Sequence, residues 1–160
     1  MKIQRHISLK HHNSFGVDAY AEQFVAVRSA ADLPQLLTEL NPQTPRLVLG
    51  GGSNILLTED LPGLVLHNQI KGIKIIDETA DRVTLQVGGG ENWHQLVEYT
   101  IDQQWHGLEN LSLIPGSVGA APIQNIGAYG VDFSSVMQSL NAIDLYSGEP
   151  RQFQKQDCAL

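Results

Sequence analysis

A short glycine run is the first segment of this chain whose residue types could do chemistry. Residues 50–54 read Gly-Gly-Gly-Ser-Asn. Successive glycine amides can turn toward one point and form a nest for phosphate oxygens, and the serine and asparagine side chains add donors. The run is not a Rossmann fingerprint, because Ile55 stands where a third glycine is needed, and it lacks the Gly-Lys-Ser/Thr of a Walker loop. A tight hairpin turn explains the same residues, so both interpretations stay open.

A second stretch, residues 114–130, combines glycines with small, apolar and amide side chains. Small residues let a flat ring approach the backbone closely. Gln124 and Asn125 can each donate and accept hydrogen bonds, and an isoalloxazine ring needs that mixture along its pyrimidine edge. A close-packed structural loop is the alternative, since glycine has many structural uses.

No set of residues resembles a catalytic centre. Glu91 and Glu109 are interpreted as ordinary acids at helix boundaries, and no Ser-His-Asp order is found. The six histidines lack metal-ligand spacing beside a cysteine cluster, so no metal site is predicted and surface positions are expected for all of them. They are His6, His11, His12, His67, His94 and His106. Chemistry in this chain would therefore come from a cofactor.

Composition indicates a globular protein of one ordinary domain or two small ones. The 160 residues are 42% hydrophobic and 17% charged, with a net charge of -7. An acidic chain without a basic cluster is a poor nucleic-acid binder. The single cysteine, Cys158, cannot form an internal disulfide and suits a reducing compartment. With no signal-like or membrane-spanning apolar run, we expect a cytoplasmic protein without membrane contacts.

Hydrophobic patterning predicts a small α/β unit in residues 1–66. Apolar runs predict strands at 24–27, 47–49, 55–57 and 64–66. Leucines at helical spacing from Leu33 to Leu40 predict a helix with Asp32 as N-cap and Pro34 in its first turn.

A second unit is predicted for residues 67–160. Alternating apolar residues favour a strand hairpin; they are Ile73, Ile75, Val83, Leu85 and Val87. A helix should follow, with Trp93, Leu96, Val97 and Ile101 on one face and Gly107 at its end. Residues 140–153 predict a further hairpin with Ser147-Gly148 in its turn.

Four runs of this sequence together resemble the UDP-N-acetylenolpyruvoylglucosamine reductases. They are NSFGVDAYA at 13–21, GGGSN at 50–54, GGGENWHQLV at 88–97 and GLENLSLIPGSVGAAPIQNIGAYG at 107–130. The similarity extends in order over essentially the whole chain, and the last run is long and specific. It implies an α+β chain with the two-subdomain FAD-binding fold of the vanillyl-alcohol-oxidase (PCMH) type. The first subdomain would be 1–66, the second 67–160 and incomplete, with the substrate domain absent.

The resemblance also implies where FAD is held. The pyrophosphate would lie on residues 50–54 and the isoalloxazine against 114–130. The residues implied in cofactor binding are Gly50, Gly51, Gly52, Ser53, Asn54, Ile114, Pro115, Gly116, Ser117, Gly119, Ala120, Ala121, Ile123, Gln124, Asn125, Gly127, Tyr129 and Gly130. Neither loop contains a histidine, so FAD should be non-covalent. A valine at position 52 is expected to impair FAD binding more than folding.

In the resembled family, hydride passes from NADPH to FAD and then to UDP-N-acetylglucosamine enolpyruvate, which gives UDP-N-acetylmuramate for peptidoglycan synthesis. The assisting serine, glutamate and arginine have no counterpart in this chain. The arginine's Tyr-Arg-Asp-Ser segment would begin just after Leu160. We therefore expect a UDP-sugar substrate for the whole enzyme, and a 160-residue chain that is inactive alone and self-associates. A flavin oxidase of the same fold and a non-catalytic nucleotide-binding module are the alternatives, and the specific 114–130 run argues against both.

Overall fold

Apolar runs early in the chain pair into one mixed sheet in the computed structural model, which describes all of residues 1–160. Its strands are β1 (Gln4–Ser8), β2 (Tyr20–Val27), β3 (Arg46–Leu49) and β4 (Leu61–Asn68), in the order β1-β2-β4-β3. β1 is antiparallel to β2, whereas β2 and β3 both run parallel to β4. β4 has buried apolar side chains on both faces of the sheet, as a central parallel strand requires.

The predicted helix is confirmed as α1 (Leu33–Glu39). It begins directly after Asp32, has Pro34 in its first turn, and buries Leu36 and Leu37. The Asp32 side chain makes no capping hydrogen bond. The chain before it forms a short 3₁₀ turn, Ala30–Asp32, whose cap is the Ser29 hydroxyl accepting from the N–H of Ala31.

The predicted strand at residues 55–57 is wrong. This segment is irregular, and the strand that follows the glycine run begins only at Leu61. Leu57 is nonetheless buried with Leu9, Phe24 and Val65 in the core of the sheet. These apolar residues are explained by the burial of single side chains and not by pairing with another strand. A run of only three apolar residues cannot distinguish the two cases.

The chain forms two compact units, which are described separately. The first is Met1–Gln69 together with Asn141–Gln152, and the second is Ile70–Leu140 together with Phe153–Leu160. Residues 141–152 thus return to the first unit, where the guanidinium of Arg46 donates to the carbonyl of Leu145 and lies over the ring of Tyr146. This differs from the contiguous 67–160 segment expected from the sequence. The assignment of 1–66 and 67–160 as FAD-binding subdomains stays a prediction.

The remaining strands and helices are short. β5 (Ile73–Glu78) and β6 (Val83–Val87) form the predicted antiparallel hairpin. After them come α2 (Trp93–Asp102), α3 (Ala121–Gln124), β7 (Gly127–Ala128), β8 (Val131–Asp132) and α4 (Phe133–Val136). β9 (Ser139–Ile143) and β10 (Pro150–Gln154) pair with each other, which confirms the last predicted hairpin. No helix has the length and apolarity needed to cross a membrane.

Helix α2 exists as predicted, but its buried face and its end differ from the prediction. Thr100 is buried, and its hydroxyl donates to the carbonyl of Val97, whereas Ile101 is 42% exposed. Position i+8 lies about 80° around the helix from position i, so Ile101 falls beside the stripe that begins at Trp93. The helix ends at Asp102, and Gln104, not Gly107, adopts the first left-handed conformation after it.

Candidate functional site

The first loop, residues 50–54, follows the end of β3. The backbone N–H groups of Gly51, Gly52, Ser53 and Asn54 donate no hydrogen bond to any protein acceptor. Gly51 and Asn54 are exposed, so part of this main chain faces solvent. Unpaired N–H groups on a glycine-rich turn are the donors that an anion such as a pyrophosphate requires. The loop therefore fits the phosphate nest predicted from its sequence.

Gly52 has a structural role of its own. Its φ is +66°, its residue is buried, and a Cβ there would overlap the carbonyl oxygen of His12. Its own carbonyl accepts a hydrogen bond from the N–H of Ser14 at 3.0 Å. The expectation that valine at 52 impairs binding more than folding is therefore corrected, because the substitution collides with backbone before any ligand is involved.

Residues 13–17 pack against the first loop. Their sequence was noted as part of a family-like run, but this contact was not predicted from it. Buried Asn13 closes residues 13–17: its Nδ2 donates to the carbonyls of Leu9 and Val17, and its Oδ1 accepts from the N–H of Val17 at 3.0 Å. The adjacent Ser14 then bonds to Gly52. The Asn-Ser-Phe-Gly pattern at 13–16 is typical of a turn and was the available signal, but nothing in it points to residue 52.

Two of the histidines expected at the surface, His12 and His67, are instead half-buried. The rings of His12 and His67 meet edge to face at 4.9 Å between centroids, and both lie against Phe24. Burial lowers the pKa of each ring; the charge of His11 lowers the pKa of His12 further, and the charge of His12 lowers that of His67 further. Both are therefore neutral at pH 7 and act as packing groups. No group of three or more His, Cys, Asp or Glu side chains is placed to hold a metal ion.

The second loop, residues 114–130, is more structured than its composition suggested. It contains a 3₁₀ turn, Val118–Ala120, then α3 and β7, and β7 pairs with β8 directly after the loop. Tyr129 and Gly130 link β7 to β8 with φ values of +53° and +78°. Two successive positive φ angles are those of a type I′ turn, which matches the twist of a two-stranded ribbon.

The glycine run at 88–90 is hydrogen-bonded to the second loop through the backbone. The carbonyl of Gly89 accepts from the N–H of Gly119 at 2.8 Å, and that of Glu91 accepts from Val118 at 2.9 Å. On its other side, Gly88 packs so closely on Ile70 that a Cβ would overlap the Ile70 carbonyl oxygen. This run therefore holds two segments together by backbone contacts.

Glu91 is more than the ordinary boundary acid expected from the sequence. Its carboxylate accepts from the N–H of Gly72 at 2.7 Å and from the Nζ of Lys71 at 3.1 Å. The Gly72 hydrogen bond is the main reason that its pKa lies below the usual value of 4.5, and Lys71 adds to the shift. Glu109 likewise remains an anion, because backbone N–H groups, including that of Gly107, and the His106 ring lower its pKa.

The second loop carries one polar atom that the protein leaves unsatisfied. Asn125, at the end of α3, has φ +38°, and its Oδ1 is buried with no hydrogen-bond partner. Buried polar atoms are almost always paired, so an orphan is an expected feature of a site that a polar ligand completes. Gln124 is exposed nearby, and Ile123 and Tyr129 are 84% and 89% exposed. This combination fits a planar polar ring with apolar faces.

Comparison with known proteins also indicates an FAD-binding chain. A family model described as an FAD binding domain matches residues 21–153. UDP-N-acetylenolpyruvoylglucosamine reductases are similar to nearly the whole chain: 47% identity over 159 residues in Pseudomonas fluorescens and 49% over 160 residues in Amoebophilus asiaticus, each alignment covering 99% of this chain and 47% of the relative. The chain thus spans about half the length of the curated relatives it matches.

A solved structure shows the same fold. The crystal structure of UDP-N-acetylenolpyruvylglucosamine reductase from Thermus caldophilus matches with a TM-score of 0.75 and 25% identity, over 98% of this chain and 53% of that one. The predicted FAD-binding fold of the vanillyl-alcohol-oxidase type is confirmed by this match together with the family model. Since that model covers most of the chain, the chain belongs to the FAD binding domain family, and FAD is its cofactor.

Proposed function

We propose that this chain is the FAD-holding part of a UDP-N-acetylenolpyruvoylglucosamine reductase. The enzyme reduces UDP-N-acetylglucosamine enolpyruvate to UDP-N-acetylmuramate with NADPH, a step of peptidoglycan precursor synthesis. The observation that carries this proposal is an identity of 47% to reductases of that name over 99% of the chain. A cytoplasmic location is part of the proposal, because a single cysteine and NADPH chemistry suit a reducing compartment.

The first loop would bind the pyrophosphate of FAD through its main chain. The free N–H groups of residues 51–54 support this assignment, and Gly50 supplies the turn out of β3. Each hydrogen bond to a charged phosphate would contribute about 1.5–3 kcal/mol. Gly52 contributes its N–H only, since its Cα side packs on the backbone of His12.

The second loop would hold the isoalloxazine ring. Gly119 on the 3₁₀ turn and Ile123 and Gln124 on α3 are exposed, and Asn125 offers the unpaired amide oxygen. Once bound, FAD would supply the hydride transfer from NADPH to the enolpyruvyl double bond. The chain's own residues bind and orient the cofactor, and we assign none of them a proton-transfer role.

Self-association of the isolated chain is also part of the proposal. Leu113, Ile123 and Tyr129 are 77%, 84% and 89% exposed at or beside the second loop. Apolar side chains exposed together favour contacts between copies. Light scattering coupled to gel filtration measures this directly, and a monomer at all concentrations would contradict it.

Three measurements test the proposal. Titration of the purified chain with FAD, followed by flavin fluorescence, should show saturable binding, and acid precipitation should leave all flavin in the supernatant. The complete reading frame that contains this chain should form UDP-N-acetylmuramate from the enolpyruvate with NADPH, as detected by mass spectrometry. Flavin retained in the pellet would overturn the non-covalent assignment. Binding without turnover by the complete protein would favour the binding module, and oxygen-dependent peroxide formation would favour the oxidase.

A further inference from the structure

The side chain of His94, on α2, contacts the two residues that lead into the second loop. Its Nδ1 lies 3.3 Å from the backbone N of Leu113 and 3.2 Å from the Oγ of Ser112. The histidine is half-buried, contrary to the surface position expected for it. One ring nitrogen thus accepts a backbone hydrogen bond immediately before Ile114, where the loop begins.

Leu113 has a backbone conformation that its side chain disfavours. Its φ is +62°, and the side chain is 77% exposed. A branched side chain in the left-handed region is strained, and such strain persists only where surrounding contacts enforce it. The hydrogen bond from Leu113 to His94 is such a contact.

The geometry also fixes which nitrogen carries the proton. Because Nδ1 accepts from the N–H of Leu113, the proton of the neutral ring is on Nε2. Nε2 lies 3.5 Å from Oε1 of Glu98, one turn further along α2. The Glu98 carboxylate favours this tautomer and orients the ring. A doubly protonated ring would place Nδ1–H against the Leu113 N–H, two donors facing each other.

We propose that His94 is a positioning residue for the second loop. Its neutral ring holds Ser112 and Leu113 in the positive-φ turn that starts the loop, and this sets the affinity for FAD. The inference rests on the proposed function in one respect, that the second loop takes the flavin ring. Nothing among the comparisons assigns His94 a role.

Matched variants test the proposal by FAD titration of the whole chain. His94→Ala removes the acceptor and should weaken FAD binding about tenfold, the equivalent of one hydrogen bond. His94→Asn carries an amide oxygen near the position of Nδ1 and should stay within about threefold of wild type, whereas His94→Gln places its amide near Nε2 and should resemble alanine. Equal losses in the alanine and asparagine variants would overturn the proposal.

A second pair of variants separates positioning from general destabilisation. Leu113→Gly adopts positive φ without strain. In that background, His94→Ala should weaken FAD binding by less than about twofold. An undiminished tenfold loss would show that His94 acts through packing and would overturn the proposal.

Amide hydrogen exchange at Leu113 adds a readout that does not depend on FAD. If wild type binds no FAD, the proposed function fails, and amide hydrogen exchange then decides this inference alone. Faster exchange at Leu113 in His94→Ala but not in His94→Asn supports it, and unchanged exchange refutes it.

Discussion

The two glycine-rich loops look alike in composition and differ in construction. The first loop leaves the N–H groups of residues 51–54 free, while Gly52 packs on the backbone of His12 and accepts hydrogen bonds from Ser14. The second loop is folded on itself and tied to Gly89 and Glu91 by its N–H groups. The first loop thus has main-chain donors without a partner, whereas the second has an unpaired side-chain oxygen, that of Asn125, on a hydrogen-bonded backbone.

This difference shows that glycine runs can have two opposite roles, binding a ligand or packing backbone against backbone. In the first loop glycine keeps donors unpaired and available, which suits a phosphate. In the run at 88–90 glycine allows backbone to approach backbone, as at Gly88 and Ile70, and so uses its donors within the protein. The same residue type therefore predicts a ligand site only when its N–H groups have no partner.

The largest effect is expected from substituting Gly52. Gly52→Ala would overlap the His12 carbonyl and force a side chain to φ +66°, so we expect a loss of about 3 kcal/mol or more in the free energy of unfolding. Urea unfolding followed by circular dichroism measures it. Gly51→Ala is the matched control, since Gly51 is exposed and lacks a positive φ. Equal stability of the two variants would refute the structural role of Gly52.

Main-chain binding by the first loop predicts a large effect of removing one N–H. Gly51→Pro should weaken FAD binding about 10- to 100-fold relative to Gly51→Ala, since a hydrogen bond to a charged group contributes about 1.5–3 kcal/mol. Fluorescence titration gives the affinities, and thermal melts of both variants control for folding. If Ser53→Ala weakens binding more than the proline does, side chains and not main chain dominate this loop.

If the second loop binds the cofactor through side chains, removing the side chain of Asn125 should weaken FAD binding. Asn125→Gly keeps the φ of +38° without strain and removes the orphan Oδ1. We expect FAD affinity to fall about tenfold while stability of the apo chain changes by less than about 1 kcal/mol. Titration and unfolding of the same samples test both parts. Unchanged affinity would remove Asn125 from the site.

The smallest effect, on thermal stability, is expected at Glu91, whose carbonyl accepts a hydrogen bond from the second loop. Its pKa is lowered in the folded chain, so its stabilising contribution is complete above the usual value of 4.5 and is lost as pH falls through the folded value. Glu91→Gln should therefore have a lower Tm than wild type at pH 7, and the difference should narrow as the pH falls below about 4.5. A difference that persists in acid would show that the Lys71 and Gly72 contacts do not depend on the charge.

Much of the fold could be predicted from local patterns. Alternation at residues 73–87 and the leucine spacing at 33–40 gave a hairpin and a helix that the structure contains. These patterns report periodicity of burial, which is a local property of strands and helices. The same patterns placed Ile101 and residues 55–57 wrongly, because burial at the margin of a stripe or in a short run depends on what packs there.

The sequence by itself was sufficient to predict the FAD-binding fold, through runs long enough to be specific, and to single out the two glycine-rich loops as candidates. Only the tertiary structure decided which glycines are free for a ligand and which are needed for packing. Ser14 and Gly52 are 38 positions apart, and His94 accepts a hydrogen bond from Leu113, 19 positions away. Contacts at such separations are set by how strands and helices pack, and no local pattern of residue types records them.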